Sequence, residues 1–94
     1  MNLDKSKKRI AKRVKSGFHG YPKLSLTYYG ETTAWANEVE VSFTLEEGAD
    51  VQIQSFSSEG DARSDEVIQT TLVKVIERSN VKTVEEHTEV LVRM

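Results

Sequence analysis

Basic residues crowd the start of this chain at Lys5, Lys7, Lys8, Arg9, Lys12, Arg13 and Lys15. On a helix Lys5, Lys8, Arg9, Lys12 and Lys15 fall on one side. A row of cations at this spacing suits a polyanion, because each phosphate it neutralises releases condensed counterions. The commoner use of such a run is a solvated face, or one that answers the chain's own acids. Phe18, His19, Tyr21, Tyr28 and Tyr29 come next in sequence, and bases stack on exposed rings beside basic residues. Phe18 continues an apolar helical stripe and Tyr28 an apolar strand face, so both are expected in the core. Tyr21 and Tyr29 are freer. The candidate site for an anionic partner is therefore Lys5, Lys8, Arg9, Lys12, Arg13, Lys15 and Tyr21, with an acidic protein surface and nucleic acid as rival ligands.

Other constellations carry less. Glu85, His87 and Glu89 alternate onto one strand face, where carboxylates can tune a histidine or join a metal site. Three ligands on one strand need partners from elsewhere, and His19 is the only other histidine, so a wet strand face is expected. Asp61, Asp65 and Glu66 are read as helix capping before metal binding. Neither a Walker-type nor a dinucleotide-binding glycine pattern is present, which leaves Gly17 and Gly20 as turn glycines. Trp35 in a polar connection is expected to cap the core, with a binding anchor as the other use. No two carboxylates are singled out as an acid and a base. No catalytic residue, metal ligand or cofactor is assigned; an enzyme with a hidden pocket and a homo-oligomer are the alternative readings. In the latter, the helix of one copy meets the acidic sheet of another.

The charge is split along the chain. Through Lys23, eight Lys and Arg face Asp4 alone, a net of +7; from Leu24 on, five face fourteen acids, a net of −9. The absence of cysteine excludes a disulfide framework and thiolate metal sites. Apolar runs are too short to span a membrane, and Lys12-Arg13 interrupts any signal-peptide core after Ile10-Ala11. A cytoplasmic location with no membrane partner is expected.

These residues need a scaffold, and 94 residues provide for one domain, 1–94, with one core. Leu3, Ile10, Val14 and Phe18 predict a basic amphipathic helix over residues 1–16. Lys7 intrudes in its stripe, so the first turn is expected to fray or to stretch the lysine stem along the core edge. Gly17, Gly20 and Tyr21-Pro22 turn the chain. Leu24, Leu26 and Tyr28 alternate in a strand ending at Gly30. Val39, Val41, Phe43 and Leu45 form a second, and Val51 to Phe56 a third after a glycine-containing hairpin. Ser64 is expected to cap a helix carrying Ile68, Leu72, Val75 and Ile76 and closed by Asn80. Val81 to Met94 reads as a strand with Val84, Thr88, Val90 and Val92 on one face. The fold class is α+β in the order α-β-β-β-α-β, an antiparallel meander with two helices packed on one face. The last strand either returns parallel beside an existing one or forms an edge for a second copy.

The first five elements resemble in order the double-stranded-RNA-binding domain, over about two-thirds of the chain. That family places a Lys-Lys-x-Ala-Lys run at the start of the second helix, where this chain has Asp61-Ala62-Arg63-Ser64-Asp65-Glu66, which would repel phosphate. Lys8-Arg9-Ile10-Ala11-Lys12 has a similar pattern on the first helix, so the family's contacts are not carried over. Ile10-Ala11-Lys12-Arg13-Val14, with Gly17-Phe18 and Gly20-Tyr21-Pro22, is similar to a group of short bacterial proteins of unassigned function. That resemblance implies a compact bacterial domain and no particular activity.

Overall fold

The computed structural model describes residues 2–93. Helix α1 runs Leu3–Lys15, with the Asn2 side chain accepting a hydrogen bond from the Lys5 amide, so its first turn is capped. It stops at Gly17, whose φ of 81° lies in the left-handed region that side chains disfavour. Strands β1 (Lys23–Gly30), β2 (Glu38–Thr44) and β3 (Gln52–Ser57) follow, then a 3-10 turn at Ala62–Ser64, helix α2 (Glu66–Ser79) and strand β4 (Thr83–Val92). Asp65, rather than Ser64, caps α2, because Ser64 is still inside the 3-10 turn. Asp65 accepts from the Ile68 amide at 3.1 Å and from the Ser58 hydroxyl at 2.8 Å. Asn80 closes α2 in the left-handed conformation with φ 51°.

The sheet order is β3-β2-β1-β4. The β1–β2 and β2–β3 pairs are antiparallel, whereas β4 runs parallel to β1. The chain leaves one edge at β3, crosses both inner strands through α2 and returns on the other edge. Both helices lie on one face of the sheet. There Leu24, Leu26 and Tyr28 of β1, Val39 and Val41 of β2 and Val84 and Val90 of β4 meet Ile10 of α1 and Ile68, Leu72, Val73 and Ile76 of α2. Complete burial of each such aliphatic side chain contributes roughly 1.5 to 3 kcal/mol before chain entropy is counted.

Three expectations are corrected by this packing. On α1 the docked stripe is Ser6, Ile10 and Val14, and Lys7 is exposed at its edge, beside a cavity it lines with Ile10 and Ala11. Ser6 is fully buried, with its hydroxyl 3.1 Å from that of Thr70 on α2; its small side chain lets the helices approach closely. Phe18 is 65% exposed, because the helix ends before the stripe reaches it. Trp35 is 55% exposed, and Ala36 beside it is buried instead. On β4 the register jumps, with His87 opposite Thr27 and Val90 opposite Tyr28. The bulge pushes Thr88 out and brings Val90 into its place, and Val92 ends half-exposed.

Candidate functional site

Helix α1 has two polar flanks and an outward face. The flank toward α2 holds arginines: Arg13 donates to the Val81 carbonyl at 2.6 Å, and Arg9 pairs with Glu77 at 3.1 Å. Arg13 thereby satisfies a carbonyl just beyond the end of α2, where backbone acceptors outnumber donors. On the outward face Lys5, Lys8, Lys12 and Lys15 are exposed and form no ion pair among the described residues. Lys7 and Ala11 lie on the remaining flank, beside a cavity against β4. Of the seven residues expected to contact an anion, four lysines therefore share an open surface, while the two arginines are committed to holding the helix.

The seventh, Tyr21, lies in the loop after α1. Its ring meets Phe18 edge to face, with centroids 5.7 Å apart and planes at 79°. The Lys23 ammonium lies 6.0 Å from the Tyr21 centroid. The loop is tied to the sheet by Thr83, which accepts from the His19 amide at 2.9 Å and donates to the Gly20 carbonyl at 2.7 Å. The His19 ring is held 2.8 Å from the Ser16 carbonyl oxygen. A tied-down loop thus presents an exposed phenylalanine, braced by a half-buried tyrosine, directly after the end of α1.

Several of the acidic residues have partners within the protein. On the open face of the sheet Arg93 pairs with Glu38 and, at 3.0 Å, with Glu40, and Lys23 pairs with Glu85 at 3.2 Å. The Arg93 guanidinium also stacks 3.9 Å from the Tyr29 ring centroid. This face is not the bare acidic surface that a neighbouring copy's helix would seek. Among the described residues no group of three metal-ligating side chains converges; Glu85 faces Lys23 and the β4 bulge separates His87 from Val90 in register. Asp61 caps the 3-10 turn and grips Arg63 at 2.6 Å, with Arg63 also donating to the Ala34 carbonyl. The guanidinium holds the Asp61 carboxyl down to about 2. The start of α2, where the double-stranded-RNA-binding domain carries its lysines, is therefore a structural clamp built from acids.

One polar group went unread in the sequence. Glu86 lies opposite Leu26, on the core side of β4. It accepts from the Tyr28 hydroxyl at 3.2 Å, and that hydroxyl accepts from the Gln69 amide at 3.1 Å. Burial, more than any neighbour, pushes the Tyr28 hydroxyl far above its ordinary pKa, so it remains a donor. The available signal was a carboxylate at the core register between Val84 and the residues that follow.

No helix among the described residues is long and apolar enough to cross a membrane. Comparison with protein-family models, curated proteins and solved structures finds no match.

Proposed function

We propose that the chain is a binding module that engages single-stranded nucleic acid through the outward lysines of α1 and the ring of Phe18. The observation that carries this reading is the exposure of Phe18 in the loop directly after a helix that exposes Lys5, Lys8, Lys12 and Lys15. Lysines alone would serve an acidic protein equally well. An exposed ring favours unpaired bases, which stack on aromatic side chains with little regard to sequence.

Fluorescence anisotropy with a labelled RNA oligomer over a salt series tests the proposal. Binding is expected to weaken with salt, and Lys12→Ala with Lys15→Ala to reduce the log–log slope by about 1.4, at about 0.7 per phosphate contact on single strands. Phe18→Ala is expected to weaken binding by about five- to a hundredfold. Salt-insensitive retention of RNA and DNA, or affinities unchanged in both variants, would sink the reading. Binding of an acidic protein in place of nucleic acid would replace it.

A homo-oligomer is the second reading, favoured by the edge of β3 rather than by helix-to-sheet pairing. Val51 through Ser58 carries no charge, and Val51 and Ile53 are more than half exposed. Such an edge lacks the charges that usually discourage strand addition. Light scattering over a concentration series decides it: a monomer throughout would exclude it.

A further inference from the structure

A cavity of about 350 Å³ opens between α1 and β4, at the small end of the range for small-molecule sites. Its floor is Tyr28 and Gln69, each 2% exposed, with Glu86 beside them; Ile10 and Ala11 form an apolar wall, and Lys7 and Lys8 stand exposed at the rim. The floor's donors are already engaged. The Gln69 amide nitrogen donates to the Tyr28 hydroxyl and, at 2.9 Å, to the Ala62 carbonyl, and the Tyr28 hydroxyl donates to one Glu86 oxygen. Arg63 also reaches this cavity, but its charge is paired with Asp61, and its Nε and Nη2 donate to Asp61 and the Ala34 carbonyl.

What remains for an occupant is an acceptor inside and cations outside. Glu86 has no cation within ion-pair distance among the described residues, and neither Lys7 nor Lys8 has an anion. A fitting ligand has adjacent N–H donors at one end, a flat body of low polarity and an anionic group at the other. Among nucleotides this description selects guanine. Its N1–H and 2-amino group are neighbouring donors that can meet the two oxygens of a carboxylate side by side. Adenine and cytosine set an acceptor next to the amino group, and uracil flanks its single N–H with two carbonyls; both arrangements turn lone pairs toward Glu86.

We infer that this cavity binds a guanine nucleotide, with the base on Glu86 and the phosphate on Lys7 and Lys8. The nucleotide is either free or an unstacked guanosine of a bound strand, and only the second source rests on the function proposed above.

Titration of the intact protein with GMP, followed by calorimetry and amide NMR shifts, tests the inference. Inosine monophosphate, which lacks only the 2-amino group, and UMP are the comparison ligands. GMP is expected to bind at least about tenfold more tightly than either, with Glu86→Gln removing the preference. A parallel arm compares U-rich oligomers with and without a central guanosine, on the unaltered protein and on Lys12→Glu with Lys15→Glu. Guanine preference with GMP identifies a free nucleotide as sufficient, whereas preference only in oligomers identifies an unstacked base. Equal affinity for GMP and its inosine counterpart, together with no preference among oligomers, overturns the inference even if the oligomers themselves bind. Because that comparison uses the unaltered protein, a folding defect in Glu86→Gln does not obscure it.

Discussion

The arginines and lysines of α1 share one stretch of sequence and do opposite things. Arg9 and Arg13 face α2, where a planar fork of donors can meet a carboxylate or a carbonyl in fixed geometry. Lys5, Lys8, Lys12 and Lys15 are exposed and form no ion pair among the described residues. The pattern extends beyond the helix. Arg63 braces the turn before α2, and Arg93 gathers two glutamates on the open sheet face. A count of positive charge on α1 therefore overstates its open cationic face, because its arginines fasten the helix to α2 while four of its lysines stay exposed.

The sharpest test of that division is Arg13→Ala. Its loss leaves the partly buried Val81 carbonyl without a charged donor, and a cost of about 1 to 3 kcal/mol is expected in chemical denaturation. Lys12→Ala with Lys15→Ala is expected to leave the same midpoint unchanged; an equal loss from the lysines would erase the distinction. A smaller, pH-dependent effect is expected at Asp61→Asn. Asp61 is held well below the ordinary carboxylate value by its hydrogen bond to Arg63. Its contribution is therefore present above about pH 4 and is lost as pH falls through about 2. Thermal melts across that window should show the variant less stable than the parent near neutrality and the gap closing toward pH 2. A gap that stays constant would mean that Arg63 draws nothing from the charge on Asp61. The smallest effect belongs to Arg9→Ala, whose ion pair with Glu77 is more than half exposed on both sides. A loss below about 1 kcal/mol is expected by denaturation, and a larger one would show that α1 docks mainly through its ion pair.

Most of the architecture was legible because it is written in periods. Alternation at Leu24-Leu26-Tyr28 and Val39-Val41-Phe43 marks two strands whose inward faces are buried or partly buried. The four-residue step from Ile68 to Leu72 marks a helix that the β-branched residues of α2 argue against. The misreadings arise where a period is carried past its element or a polar residue serves the core. Phe18 fits the helical stripe only if the helix continues, and Gly17 ends it. Ser6 looks like a solvent residue, yet helix-to-helix contact needs a small side chain at that point. At β4 the two-residue count breaks at the bulge, where no glycine or proline gives warning. As for the candidate site, its lysines could be located from spacing alone, but which cations would be consumed by docking depended on the position of Val81 and Glu77, far along the chain. Glu86 was hidden for a related reason: a carboxylate at a core position gains meaning only once Tyr28 and Gln69 are known to lie beneath it.

The parallel pairing of β1 with β4 joins Lys23 to Thr83, sixty residues apart. Contacts so distant are slow to form, because a long loop must close before they are rewarded. During synthesis β1 can acquire its β2 neighbour early, but its other side stays open until β4 emerges. Helix α1 rests on α2 and β4, so its lysines are arrayed only once those later elements are in place. The cationic face of α1 is thus a property of the assembled fold, and a ribosome-bound fragment ending before Thr83 would carry the same charges without the same surface.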